Sequence, residues 1–379
     1  MHWNLWFSAG HGWRETAQSN LTGWFSGYLV VDGRTLEGDA AFTALNKLLP
    51  RPWDLHQCAQ ALRDLDGSFA FALESPDAVL AAVDWLRSIP LFYSHDGNSN
   101  SWELSSNAND IVTAFGLIEP DVSGSLSLAM SGYAMGDHTL YRGLKQMPPG
   151  VCMLVSHDGV KSKKYYTYEP WRVEHNSDPE RFSRDLEDVT LAIMTKTIVG
   201  LEGRPVMLPI SAGLDSRLIA SAFRHLGYEN VTCYSYGQPG NSDAEVGRIL
   251  AEKLGYPWHF SEYSRDQVKA FHQSETFRRF MAYADSCASV HFVQDNLAIY
   301  DLKSRCLVPD EAVFINGNSG DYISGGHIHA SMMESLPGAT WRARKQRIVD
   351  CLIDKHYSLW QDLRSTDYNA QISQELLGI

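Results

Sequence analysis

The protein has 379 residues, of which 44% are hydrophobic, so the chain is long enough for two domains with a core each. Its formal net charge of −13 argues against nucleic acid as the main partner, because contacts to phosphates need a basic surface. The six cysteines are widely spread, which favours free thiols in a reducing compartment over a disulfide framework or a zinc site. Neither a signal-peptide pattern nor an apolar run of about 18 residues is visible. We therefore expect a cytoplasmic protein with small-molecule or protein partners and no membrane span.

Residues 1–170 are predicted to form a first domain that is mostly β. Short runs rich in β-branched and aromatic residues alternate with turn signals such as Asp32-Gly33 and Asp66-Gly67. Helical patterns at residues 55–65 and 123–130 interrupt these runs. A layered α+β sandwich accommodates such an alternation. The clearest strand predictions are 24–31, 68–73, 79–83 and 151–155.

A polar segment at residues 171–185 is predicted to be the interdomain linker. From residue 186 to residue 379 we expect a second domain, whose alternation of helix and strand patterns is typical of a parallel α/β sheet. Its predicted strands are centred on residues 206–210, 231–236, 258–260 and 313–315. A helical pattern over 277–300 carries the polar side chains Asp285, Ser286, Ser289, His291, Gln294 and Asp295. His291 or Asp285 could contact a substrate, although a single histidine in a helix is more often structural.

The loop at residues 211–217, Ser-Ala-Gly-Leu-Asp-Ser-Arg, lies between an apolar strand pattern and a helical one. A strand, a tight turn and a helix N-terminus present free N–H groups and the positive end of the helix dipole to an anion. Ser211, Gly213 and Ser216 are small enough to let a phosphate approach the backbone. Asp215 would repel that phosphate unless a cation stood between them, which predicts a Mg²⁺ ligand. An ordinary strand–turn–helix connection is the alternative for the loop taken alone.

This loop resembles the Ser-Gly-Gly-x-Asp-Ser pyrophosphate loop of enzymes that split ATP into AMP and pyrophosphate, with Ala212 in place of the first glycine. A second segment, residues 315–326, resembles the Ser-Gly-x-Gly-x-Asp-Glu-x-x-Gly-Gly signature of asparagine synthetases. Its matching positions are Gly317, Asp321, Gly325 and Gly326.

Three segments of the first half resemble, in order, the amidotransferase-like domain of the same family. They are residues 65–71, 83–93 and 143–150. The whole resemblance covers about residues 60–330. It implies an α/β protein with an Ntn-hydrolase-like layered α+β sandwich followed by a parallel α/β sheet of the pyrophosphate-loop ATPase type.

The resemblance also implies ATP as a ligand and a set of site residues. Asp215 and Asp321 would hold Mg²⁺ against the triphosphate, and Arg217 would bind phosphate or the substrate carboxylate, unless it is a helix-surface arginine. Tyr236 has a structural alternative as a buried strand aromatic. Asp243 and Glu245 could face the nucleotide, or as acids in a first turn they simply favour the helix dipole. The cofactor-binding positions implied are Leu208, Ser211, Gly213, Ser216, Tyr236, Gly237, Asn316 and Gly317.

The implied activity is that of an ATP-dependent, AMP-forming amide ligase, in which an amine or ammonia attacks an adenylated carboxylate. Two departures limit this expectation. His2 stands where the family's glutaminase needs a cysteine, so we expect no glutaminase activity, and ammonia would come from a partner glutaminase or be replaced by an amine. Asn318 stands where asparagine synthetases carry a glutamate, and an amide cannot act as a base.

Alternative functions remain open from the sequence. The same departures, and the absence of the family's C-terminal lysine loop in a chain that looks shortened, allow a non-catalytic nucleotide-binding or scaffolding subunit. A tRNA-modifying enzyme with the same loop is a third option, against which the acidic charge weighs. The identity of the substrates and the oligomeric state, including a homo-oligomer, are not readable from the chain.

Overall fold

A computed structural model of the protein describes residues 2–96, 101–169, 178–323, 325–326, 328–333, 338–360, 363 and 365–378. The chain forms two compact units. The first comprises Met1–Trp171, Ala284–Val290 and His329–Ile379, and the second comprises Arg172–Tyr283 and His291–Ile328. Within the described ranges, no helix combines the length and the apolar character that crossing a membrane requires.

The first unit contains two sheets. The smaller sheet has the order β1-β8-β7-β9, with β1 parallel to β8, and the larger has the order β11-β10-β6-β5-β3-β2, with β4 paired to β3. The strands are β1 His2–Trp6, β2 Arg14–Gln18, β3 Leu21–Val31, β4 Arg34–Leu36, β5 Asp66–Glu74, β6 Ala78–Val83, β7 Phe92–Asp96, β8 Ser101–Ser105, β9 Leu144–Gln146, β10 Val151–Ser156 and β11 Gly159–Lys164. The helices of this part are α1 Gly38–Leu48, α2 Leu55–Arg63, α3 Ala108–Phe115 and α4 Val122–Ser131, with a short 3₁₀ helix at Ala9–His11.

Side-chain alternation along β5 explains why the unit is layered. Phe69 and Phe71 belong to a core shared with α1 and α2, whereas Ala70 and Ala72 belong to a core shared with the smaller sheet. Successive strand residues point to opposite faces, so one strand serves both cores. On the far side of the smaller sheet, Ile111 of α3 packs with Phe92 of β7. The order helix, sheet, sheet, helix confirms the predicted α+β sandwich.

The second unit is built around a parallel sheet with the order β14-β13-β12-β15. Its strands are β12 Val206–Pro209, β13 Val231–Gly237, β14 Trp258–Glu262 and β15 Val313–Phe314. Its helices are α5 Pro179–Leu201, α6 Leu214–His225, α7 Ser242–Leu254, α8 Arg265–His272, α9 Glu275–Ala284, α10 Asn296–Ser304 and α11 Gly320–Ile323. The predicted parallel α/β sheet is thereby confirmed.

Strand β12 has helices on both of its faces. Val206 and Leu208 pack with α5, α6 and α7, whereas Met207 packs with Leu302 of α10. A strand that is apolar at every position is what a doubly covered parallel sheet requires. The order of the strands reverses between β12 and β15, so the loops that follow these two strands meet at a topological switch point.

The last two helices, α12 Trp341–His356 and α13 Thr366–Gly378, pack with α4 in the first unit, and a short 3₁₀ helix at Ala330–Met333 precedes them. Residues 171–177 of the predicted linker lie outside the described residues, and the rest of it mostly belongs to α5. The predicted domain boundaries stay a prediction.

The continuous helix predicted over 277–300 is wrong. The chain leaves helical geometry after α9 and regains it only at α10. Cys287 has a left-handed φ of 51°, and the Asp285 carboxylate accepts a hydrogen bond from its N–H, a turn that competes with the helix.

Replacing Gly27 by alanine tests the packing of β3 on β5. A Cβ on Gly27, whose φ is +92°, would lie 2.0 Å from the carbonyl oxygen of Ser68. Gly33 is the matched control, because its φ is +73° but a Cβ would meet nothing within 4 Å. Both variants carry the cost of a left-handed backbone, about 1–2 kcal/mol. We expect Gly27→Ala to lower the free energy of unfolding in urea by about 1–3 kcal/mol more than Gly33→Ala, and equal losses would contradict the close approach.

Candidate functional site

A cavity of about 390 Å³ lies at the switch point of the second unit. Its walls come from the loops that follow β12 and β15, from the end of β13, from the start of α7 and from the segment before α10. A crevice at the carboxyl ends of parallel strands is the usual ligand position in such folds. The lining residues among the predicted site positions are Ser211, Gly213, Asp215, Ser216, Tyr236, Asn316 and Gly317.

The loop before α6 is shaped by its own short side chains. The Ser211 N–H donates to Ser216 Oγ at 3.3 Å, and the Gly213 N–H donates to Ser211 Oγ at 3.1 Å. Gly213 is the N-cap of α6, and no side chain caps the first N–H groups of this helix. These groups and the positive helix end can therefore bind an anion in the cavity.

Two glycines let the loop after β15 lie directly against Asp215. A Cβ on Gly317 would come within 2.8 Å of the Ser216 nitrogen, and one on Gly320 would come within 2.2 Å of Asp215 Cγ. Distances under 3.0 Å are not tolerated by real side chains, so only glycine permits this approach. The neighbouring Ser319 has a left-handed φ of 77°, at a position where the family signature has glycine.

The donor set of this region suits Mg²⁺ bound together with a nucleotide. Asp215 lines the cavity and has no hydrogen-bond or ion-pair partner in the part of the chain that the structure describes. Asp321 is exposed, lies next to Gly320 in the chain, and is not among the lining residues. The same described residues contain no group of three or more His, Cys, Asp or Glu side chains that would bind a metal without help. Mg²⁺ is usually held by one or two carboxylates and substrate phosphates, and this set fits that pattern.

Of the other residues predicted to contact the nucleotide, some line the cavity and some do not. Tyr236 lines the cavity and stacks on Tyr263, with ring centroids 5.1 Å apart. Gly237 has a φ of +127°, and its carbonyl accepts the Tyr263 N–H at 2.8 Å, so it fixes the end of β13 but is not a lining residue. Leu208 is fully buried, and its neighbours Pro209 and Ile210 line the cavity in its place.

Arg217 is also absent from the lining. Its Nη2 donates to the Ala212 carbonyl at 3.0 Å, and its Nε is buried without a hydrogen-bond partner among the described residues. The side chain braces the turn before α6. Its predicted contact with phosphate or carboxylate is untested.

The structure brings further residues into this cavity, and among them Phe292, Gln294 and Asp295 had no role assigned from the sequence. Asp243 lies in the first turn of α7, Phe292, Gln294 and Asp295 come from the segment before α10, and Asn318 comes from the loop after β15. The sequence does not mark Asp295 as a site residue, because a single carboxylate in a predicted long helix resembles a solvent-facing residue. His291, by contrast, bonds the Met281 carbonyl at 3.0 Å, a structural contact.

Burial raises the pKa of the Asp295 carboxyl above the ordinary aspartate value. The surrounding groups are the rings of Tyr234, Tyr236 and Tyr263, each of which has its own pKa raised by burial and by the Asp295 charge. No positive side chain faces Asp295 in any of these contacts. Ionisation of a carboxylate in such surroundings destabilises the folded protein, because the charge is poorly solvated.

A larger cavity of about 820 Å³ lies in the first unit. Two of its polar side chains are bonded within the fold: Arg51 donates to Asn20 Oδ1 at 2.9 Å, and Asp54 accepts the Gln57 N–H at 2.8 Å to cap α2. Volume alone therefore does not mark the functional site. The cavity of the second unit has free N–H groups and an unpartnered carboxylate.

Comparison with family profiles finds two matches that together cover most of the chain. Residues 55–166 match the glutamine amidotransferase domain, and residues 201–375 match asparagine synthase. Both matches agree with the resemblance to asparagine synthetases that the segments at residues 211–217 and 315–326 indicate. The second match includes the loops after β12 and β15, as well as α12 and α13 of the first unit. No curated protein matches the chain.

Similar solved structures include amidotransferases and NAD synthetases. Glutamine phosphoribosylpyrophosphate amidotransferase from B. subtilis, complexed with ADP and GMP, is 16% identical over 70% of this chain and 51% of its own, with a TM-score of 0.27. The chain thus spans about half the length of that relative. The NH3-dependent NAD synthetase from Campylobacter jejuni is 13% identical over 52% of this chain and 93% of its own, with a TM-score of 0.28. A glutamine-dependent NAD+ synthetase from Acinetobacter baumannii, in complex with ADP, is 14% identical over 66% of this chain and 54% of its own, with a TM-score of 0.27.

Asp295→Asn is expected to stabilise the protein near neutral pH. The native carboxyl has a raised pKa, so the native state binds more protons than the unfolded state between the ordinary aspartate pKa of about 3.9 and the raised value. The free energy of unfolding that this group contributes therefore falls as the pH rises from the ordinary pKa to the raised one. The variant should have a higher urea midpoint than the wild type at pH 7, and the difference should vanish as the pH falls below about 4.

The control for this measurement is Asp301→Asn on the same helix. Asp301 forms a surface ion pair with Arg305 at 3.0 Å, so its loss should change stability little and in the opposite direction. An Asp295→Asn variant that is less stable than the wild type at pH 7 would contradict the assigned environment.

Proposed function

We propose that the chain is an ATP-dependent, AMP-forming ligase that joins a carboxylate to an amine or to ammonia. The observation that carries this proposal is the cavity at the switch point, where an uncapped helix N-terminus and an unpartnered carboxylate meet the loop after β15. The asparagine synthase match over residues 201–375 supports the same reaction class. A substrate carboxylate would attack the α-phosphate of ATP, pyrophosphate would leave, and the nitrogen nucleophile would displace AMP.

The residues of the cavity have distinct roles in this proposal. The N–H groups around Ser211, Gly213 and Ser216 bind the pyrophosphate portion of ATP, helped by the α6 dipole. Asp215 would hold Mg²⁺, with Asp321 as a second ligand, and the ion would neutralise charge on the phosphates. Tyr236 and the backbone at Gly237 contact the adenine, while Asn316 and Gly317 contact the nucleotide from the loop after β15. Leu208 supports the adenine side through its neighbours, since it is itself buried.

Arg217 has a supporting role in this scheme. Its hydrogen bond to the Ala212 carbonyl holds the turn in the shape that exposes the N–H groups. Hydrogen-bond donors that are already fixed stabilise a developing charge better than flexible donors, because they do not have to reorganise.

The amidotransferase-like part is proposed to lack glutaminase activity. A glutaminase of this class needs a thiolate. In the first unit Cys58, Cys152, Cys287 and Cys351 are all buried, and burial raises the pKa of Cys58 to about 11 and that of Cys152 and Cys287 to about 12. Thiols in such surroundings are inert. The nitrogen would then come from free ammonia, from a partner glutaminase or from an amine substrate.

The ligase proposal is tested by ATP–pyrophosphate exchange with a panel of amino, sugar and dicarboxylic acids. We expect exchange that requires one class of acid and Mg²⁺, and a loss of about 100-fold or more in Asp215→Asn. Asp266→Asn is the matched control, since Asp266 is also an acid in the first turn of a helix, α8, but does not line the cavity. It should keep full exchange.

An absence of exchange with every acid, together with ATP binding that Asp215→Asn leaves unchanged, would contradict the ligase. That result would favour the second candidate, a nucleotide-binding subunit without catalysis. The observation that keeps this candidate is Asn318, a lining residue that cannot act as a base.

The nitrogen source gives a separate prediction. With the acid that supports exchange, ammonium chloride or a primary amine should yield AMP and an amide, whereas glutamine alone should yield neither amide nor glutamate. Product analysis by mass spectrometry makes the comparison. Release of glutamate in step with AMP would contradict the loss of glutaminase activity.

A further inference from the structure

The charged side chains that line the cavity are all acidic. They are Asp215, Asp243 and Asp295, and no lysine, arginine or histidine occurs among the lining residues that the structure describes. ATP and a carboxylate substrate are anions, so these side chains would repel them in a site of low dielectric constant. In the proposed function Mg²⁺ neutralises Asp215. Asp243 and Asp295 are left without a counter-charge.

Asp295 is held firmly beside the cavity. The Tyr263 hydroxyl donates to the Gln294 carbonyl at 2.7 Å and accepts the Ala298 N–H at 3.0 Å, so it clamps the backbone on both sides of Asp295. Tyr263 is itself stacked on Tyr236, another lining residue. The position of Asp295 is thus fixed by a tyrosine that follows β14 and stacks on the end of β13, which lines the cavity.

The only hydrogen bond to the Asp295 carboxylate among the described residues comes from its own backbone. Asp295 is the N-cap of α10, yet its side chain makes no capping hydrogen bond. It has no ion-pair partner among the described residues, and its burial disfavours the charged form. Asp295 is half-buried, and partly buried acids that line a cavity without an ion-pair partner are candidates for proton transfer.

Asn318 lines the same cavity from the loop after β15. Its side-chain amide has no group that can accept a proton at neutral pH. The Asn318 backbone N–H donates to Asn316 Oδ1 at 3.1 Å. A ligase that uses an amine needs a proton acceptor, since an ammonium ion has no lone pair with which to attack. Asp295 is the unpartnered acid of the cavity that is not assigned to Mg²⁺ or to a helix first turn.

We propose that Asp295 is the general base that takes a proton from the ammonium group of a cationic substrate, with Asp243 as a second contact for that group. The proposal rests on the ligase function above. One N–H bond breaks and the proton goes to the carboxylate, which becomes a carboxylic acid. The freed lone pair forms the C–N bond, the bond between the carbonyl carbon and the phosphate oxygen breaks with its electron pair on AMP, and the second proton of the nitrogen goes to solvent. The substrate class is therefore a primary amine or ammonium.

The test compares two half-reactions in wild type and Asp295→Asn, with the acid that supports exchange. The variant should keep ATP–pyrophosphate exchange, because adenylation involves no amine. Amide formation with ammonium chloride should fall by at least about 100-fold, as expected for the loss of a general base. Hydroxylamine, which is neutral at pH 7, should still give hydroxamate in the variant at close to the wild-type rate.

Two further variants keep the test decisive. Asp295→Glu should recover part of the ammonium-dependent rate, since it restores a carboxylate, and Asp301→Asn on the same helix should behave as wild type. One outcome is that the variant and the wild type form amide from ammonium at the same rate, with exchange intact in both. That result would contradict the role of Asp295 as a base but would be consistent with the ligase function. Loss of exchange in Asp295→Asn, with a native circular dichroism spectrum, would assign Asp295 to adenylation and would also overturn the proposal. Absence of exchange in the wild type would instead contradict the proposed function itself.

Discussion

The close approach of two loops at the switch point is the constraint on which the site depends. Gly317 and Gly320 leave room for Asp215 at distances that any side chain would forbid. The contact joins the start of α6 to the segment after β15, so an anion bound to one loop lies beside the other. Strand order makes this possible, because β15 returns to the sheet next to β12 and not beyond β14.

One part of the cavity has a positive electrostatic potential and another part has a negative one. Backbone N–H groups and the helix dipole at α6 provide positive potential without a basic side chain. The carboxylates supply negative potential, which suits the cations of the proposed reaction. A site of this kind can bring an anionic phosphate and a cationic amine together, and the acid–base balance then depends on Asp295.

Much of this architecture could be predicted from the sequence. The loop at residues 211–217 and the signature at 315–326 lie where local patterns place them, because short-range turn chemistry and strand periodicity determine both. Asp295 could not be assigned in the same way. Its role depends on Tyr263, a residue from another part of the chain that holds the segment before α10. The break between α9 and α10 was missed for a related reason, since the turn at Cys287 overrides helix propensity.

A crystal structure with Mg²⁺ and a non-hydrolysable ATP analogue tests the central claim most directly. The account predicts that the β- and γ-phosphates contact the N–H groups between Ser211 and Ser216, with Mg²⁺ on Asp215 and the adenine near Tyr236. A nucleotide bound away from the loops after β12 and β15, for instance in the larger cavity of the first unit, would contradict it.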